Sequence, residues 1–159
     1  MDKNILVIGI GNKYRSDDGI GIYVAEKIRE KKIPNITVSE AIGEGTSLID
    51  LWKDNPKVII VDAASSGNKP GTIHRFEAHK EKIPSKLFGY STHAFSLAEA
   101  IELSRALGNL PKCLIIFGIE GENYTDGSEL SERLKASVNE IVKIIEEEIE
   151  KLKKENQYA

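Results

Sequence analysis

The sequence predicts an α/β fold in three layers, α/β/α: a five-stranded, mostly parallel, twisted sheet with one antiparallel strand and helices on both faces. Three observations carry this expectation. The runs Ile5-Leu6-Val7-Ile8, Val58-Ile59-Ile60-Val61 and Cys113-Leu114-Ile115-Ile116-Phe117 are short, apolar and rich in β-branched residues, as strands buried on both faces are. Amphipathic stretches with helical spacing alternate with the strands, which favours parallel crossovers. The length of 159 residues suits one domain, 1–159, large enough to bury a core.

Taken in order, the first strand runs into Gly9-Ile10-Gly11-Asn12. A helix over residues 17–31 follows, with Ile20, Val24 and Ile28 on its buried face and Ser16 or Asp17 as its N-cap. Ile36-Thr37-Val38-Ser39 forms the second strand. Gly43-Glu44-Gly45-Thr46 turns the chain into a short helix with Thr46 as N-cap, Leu48, Ile49, Leu51 and Trp52 as its apolar face, and Asn55-Pro56 as its stop. The third strand leads straight into Asp62. A turn at residues 67–71 leaves no room for a crossover helix, so the fourth strand, Thr72 to Phe76, is antiparallel or flanking. Ser91 or Thr92 then caps a helix that buries Leu97, Ala100, Ile101 and Leu107 and ends at Gly108. After the fifth strand and a loop over 118–127, residues 129–154 form a long helix. Leu130, Leu134, Val138, Ile141, Ile145, Ile149 and Leu152 make its apolar stripe, and Glu and Lys its solvated face. Right-handed crossovers give a strand order beginning 2-1-3.

Composition excludes several classes. Net charge is −3 with scattered basic residues, which argues against nucleic acid or an anionic membrane surface. No signal peptide and no membrane-length apolar stretch stand out, so a cytoplasmic protein is expected. The single Cys113 reads as a small buried hydrophobe. His74 alternates outward on the flanking strand and His79 lies in a Lys/Glu-rich loop; neither has a positional claim to a site.

The loop after the first strand carries the chemistry. Gly9 and Gly11 begin a G-x-G fingerprint, but Tyr14 stands where its third glycine belongs. Asp17-Asp18 would repel a pyrophosphate and welcome a cation. In the predicted sheet Asp18 opens the first helix, Asp62 ends the neighbouring strand across the switch point, and His93 begins a helix at the same edge. Two carboxylates and one imidazole there would make an open three-ligand metal site, suited to zinc, nickel, manganese or iron. Each has a plainer reading: Asp complements a helix dipole, Asp62 caps a turn, and His93 lies on the surface. Successive side chains on a helix diverge by about 100°, so Asp18 is taken as ligand and Asp17 as cap.

Gly9-Ile10-Gly11-Asn12 with Asp17-Asp18-Gly19-Ile20-Gly21, Ile60-Val61-Asp62-Ala63 with Pro70-Gly71-Thr72, and Ser91-Thr92-His93 together resemble the hydrogenase maturation endopeptidases, over residues 4 to about 145. The resemblance implies a peptidase, formally grouped with the aspartic type, that removes the C-terminal extension of a nickel–iron hydrogenase large-subunit precursor after nickel insertion. It carries the family's metal-contacting acids onto Asp18 and Asp62 and its histidine onto His93. The metal it implies is nickel presented by the substrate. Hydrolysis would then use a nickel-polarised carbonyl or nickel-bound water, or Asp18 or Asp62 as general base. The implied partner is the precursor, with no nucleic acid, no membrane and a monomeric enzyme. The alternative is a non-catalytic chaperone that binds metal and precursor. Two departures stand out: Gly121 replaces the proline of a G-x-x-P pattern, and the loop around Glu44 differs, which bears on which hydrogenase is the partner.

Overall fold

In the structure, a computed structural model, residues 4–88 and 95–157 are described. Among them the elements are β1 (Ile5–Ile10), a 3-10 turn (Ser16–Gly19), α1 (Ile20–Glu30), β2 (Ile36–Ala41), α2 (Gly45–Trp52), β3 (Lys57–Ala64), β4 (Ile73–Glu77), a second 3-10 turn (Ser85–Phe88), α3 (Leu97–Leu107), β5 (Cys113–Glu120) and α4 (Glu132–Gln157). The sheet order is β2-β1-β3-β5-β4, so it begins 2-1-3 as the crossover rule requires. The first four are mutually parallel, and β4 runs antiparallel to β5.

Alternation along the central strands divides the core into two layers. Ile5, Val7, Ile59, Val61, Ile115 and Phe117 pack with α1 and α4; Leu6, Ile8, Val58, Ile60, Leu114 and Ile116 pack with α2 and α3. The stripe from Leu130 to Leu152 is buried, and Trp52 is fully enclosed with its indole N–H 3.2 Å from the Ser104 hydroxyl. The edge strand β4 is fastened to α4 by Arg75, whose guanidinium grips the buried Glu148 carboxylate at 2.8 and 3.1 Å.

Several expectations are corrected. The helix start predicted at Asp17 is instead a 3-10 turn, and α1 begins at Ile20 after Gly19 with no side-chain cap. Glu44 rather than Thr46 caps α2, its carboxylate accepting from the backbone N–H groups of Thr46 and Ser47. These bonds hold the Glu44 carboxyl below its usual range. The cap of α3 is Ser96, in a capping box with Glu99, while Ser91 and Thr92 lie outside the described residues. Leu107, placed in the core by spacing, is 65% exposed because it sits in the last turn before Gly108. Strands β3 and β5 are both longer than their apolar runs, since they pair with each other as far as Ala64↔Glu120. Cys113 is half-buried rather than enclosed, and burial pushes its thiol pKa up.

Candidate active site

The carboxyl edge of the sheet is built by glycines that let backbone segments touch. Gly11 adopts φ +149°, and a Cβ there would stand 2.0 Å from the Asp18 carbonyl oxygen; the chain after β1 folds directly onto the 3-10 turn. A Cβ on Gly21 would stand 2.3 Å from the Val61 carbonyl oxygen, so the first turn of α1 lies against β3 beside Asp62. The G-x-G of the sequence thus serves close backbone packing. Gly21 in turn sets the start of α1, which follows the turn carrying Asp18, against the strand carrying Asp62.

Both carboxylates are nearly buried, Asp18 at 7% and Asp62 at 6% exposure. The backbone N–H of Asn12 donates to Asp18 Oδ2 at 3.0 Å, and that of Ala63 donates to Asp62 Oδ1 at 2.8 Å. Asp62 lies within β3 rather than at its end, on the face of Val58, Ile60 and Ala64. Pairing with β1 nevertheless stops at Gly9↔Val61, so Asp62 emerges where its neighbour departs, at the switch point. His93 lies outside the described residues, ahead of the Ser96 cap of α3. Among the described residues no group of three His, Cys, Asp or Glu side chains is placed to hold a metal ion. The two acids are acceptor-only groups whose chemistry suits a borderline or hard divalent cation.

Asp17 turns the other way and is fully buried. Its Oδ2 accepts from the N–H of Glu122 at 2.7 Å, the N–H of Asn123 at 3.1 Å and the hydroxyl of Ser131 at 2.9 Å; its Oδ1 accepts from Ser131 N–H at 2.8 Å. Its carboxylate therefore holds the loop between β5 and α4 instead of capping α1. The neighbouring Ser16, at φ +52°, has a buried hydroxyl without a hydrogen-bond partner among the described residues.

Three groups at this edge escaped the sequence reading. Glu120, 1% exposed, accepts from Ser66 N–H at 2.9 Å and from the Ser66 hydroxyl, and lies 3.2 Å from His74 Nε2. His74 therefore faces a buried carboxylate rather than solvent; its register partner is Gly118, on the same row as Asp62. Tyr124 donates its hydroxyl to the Ala64 carbonyl at 2.6 Å. Ser131 is the third. His79 Nδ1 accepts from Leu114 N–H at 3.0 Å, at the start of β5.

Comparison with known proteins gives this edge a context. A family model described as hydrogenase maturation protease matches residues 22–148. The hydrogenase 2 maturation protease of Escherichia coli is 30% identical over 139 residues, covering 84% of this chain and 83% of that one. The crystal structure of a NiFe hydrogenase maturation protease, HycI, from Thermococcus kodakarensis superposes with a TM-score of 0.71 at 25% identity, covering 91% of each chain. The solution structure of an Escherichia coli endopeptidase matches the fold with a TM-score of 0.76 at 24% identity and 89% coverage of each. The five-stranded sheet and these matches agree: the chain belongs to the hydrogenase maturation protease family.

Proposed function

We propose that this peptidase removes the C-terminal extension of a nickel–iron hydrogenase large-subunit precursor once nickel is in place, with Asp18, Asp62 and His93 contacting that nickel as part of the substrate. It acts as a cytoplasmic monomer. The observation that carries the reading is the pair of nearly buried carboxylates, Asp18 and Asp62, brought to one edge by the contact of α1 with β3. Two like charges withdrawn from water repel each other, and an incoming cation relieves that repulsion. A precursor without metal offers no such relief, so occupancy gates docking. Nickel in the precursor would supply the Lewis acidity; Asp18 and Asp62 orient it and can accept a proton from attacking water. Family membership favours cleavage over the chaperone alternative.

The test is incubation of the full chain with nickel-loaded and nickel-free precursor, reading the precursor C-terminus by intact mass. Loss of the extension from the loaded form alone is expected. Asp18→Asn, Asp62→Asn and His93→Ala should each slow processing by at least about 100-fold. Binding without cleavage would return the chaperone reading, and full processing by any one variant would remove that residue from the site.

A further inference from the structure

The sheet does not fix the gap between the two carboxylates. Ladder pairing of β1 with β3 ends at Gly9↔Val61, immediately before Asp62, and Asp18 lies well beyond Gly9 in the 3-10 turn. Beyond the ladder the two elements meet directly where α1 lies on β3 at Gly21, and they are joined a second time through the loop 121–131. At one end, Asp17 receives the Glu122, Asn123 and Ser131 donors, and its own N–H donates to the Asn123 carbonyl at 2.9 Å. At the other, the Tyr124 hydroxyl donates to the Ala64 carbonyl of β3 and accepts from Gly121 N–H at 3.0 Å. Residues 14–16 are zipped along the same loop: Gly127 N–H donates to the Tyr14 carbonyl at 2.6 Å, and Ser16 N–H to the Ser128 carbonyl at 2.7 Å. A Cβ on Gly121 would stand 2.6 Å from the Tyr124 hydroxyl and 2.9 Å from Asp17 Cβ, so glycine there lets the two anchors close on each other. Burial pushes the Tyr124 pKa up to about 12, so its hydroxyl stays protonated well into the alkaline range.

We infer that loop 121–131 is a brace that sets the separation of Asp18 and Asp62, with Asp17 and Tyr124 as its positioning residues. The inference rests on the reading that those two carboxylates meet a cation carried by the precursor. Such ligands need placement to about 0.5 Å, and the contacts that orient them are worth about 10- to 100-fold in affinity or rate.

Tyr124→Phe deletes one oxygen and leaves the ring to pack. With this variant in the full chain, affinity for the nickel-loaded precursor is expected to fall on the order of tenfold, with affinity for the nickel-free precursor unchanged. A tyrosine with a merely structural role would lower the unfolding midpoint and leave the preference for loaded precursor at the wild-type ratio; that result overturns the brace. Asp17→Asn, which turns an amide N–H₂ toward backbone donors, should move the ratio the same way. If it does not fold, Tyr124→Phe decides alone. If the wild type itself has no preference for loaded precursor, the metal reading fails separately, and carbon-13 NMR of the carboxyl carbons decides the brace. Movement of the Asp18 resonance in Tyr124→Phe supports it, and an unmoved Asp18 resonance overturns it.

Discussion

Adjacent acids at 17 and 18 have opposite duties, and the difference lies in what each one touches. Asp17 gathers four donors from loop 121–131 and is sealed from solvent, whereas Asp18 takes the Asn12 N–H at a nearly buried edge. Removing an acceptor from several buried donors costs about 1–3 kcal/mol for each group left unsatisfied. Asp17→Ala is therefore expected to lower the unfolding free energy by at least about 3 kcal/mol in urea titration. Asp18→Asn keeps an oxygen for Asn12 and sheds a charge, so its stability should stay within about 1 kcal/mol of wild type while processing collapses. Equal destabilisation by the two would show that Asp18 is also a structural anchor. The sequence made Asp17 a helix cap because a cap is a local pattern. Its actual partners lie 105 to 114 residues away along the chain, beyond any local signal.

Among the elements, the contact of α1 with β3 matters most to the site. Gly21 permits it, since the Val61 carbonyl occupies the place of a side chain there. Gly21→Ala pushes backbone against backbone, which side-chain rotation cannot relieve. It should cost about 1–3 kcal/mol or more by chemical denaturation and slow processing besides, because α1 carries the turn that presents Asp18. A neutral Gly21→Ala would mean that α1 can tilt away from β3 freely. Helix ends show a similar division between pattern and outcome. The Gly108 terminus of α3 appears as the spacing required, in the left-handed conformation at φ +75°. The starts of α1 and α2 do not, because Asp17 found distant donors and Glu44, two residues before Thr46, accepts from the Thr46 and Ser47 N–H groups and caps α2 first.

At the scale of the whole molecule, the sheet separates two apolar layers while belonging to both. Ile141 of α4 and Ile101 of α3 lie in different layers, each 1% exposed or less. Ile141→Ala and Ile101→Ala should each cost about 2–5 kcal/mol, and the double variant should equal their sum within about 0.5 kcal/mol. A larger departure would mean that strain passes through the sheet. The sequence by itself determined the five strands, the order beginning 2-1-3, the antiparallel β4, the two helical layers and the switch point between β1 and β3. Periodicity and chain connectivity are local quantities, and burial of apolar surface makes them decisive. Only the tertiary structure decided that Asp17 anchors a distant loop, that Glu120 and His74 face each other, and that Tyr124 ties β3 to loop 121–131. Each of those contacts joins polar groups far apart in the chain. Their pairing is enforced by the cost of burying an unsatisfied donor or acceptor, a cost that exists only once the fold has enclosed them.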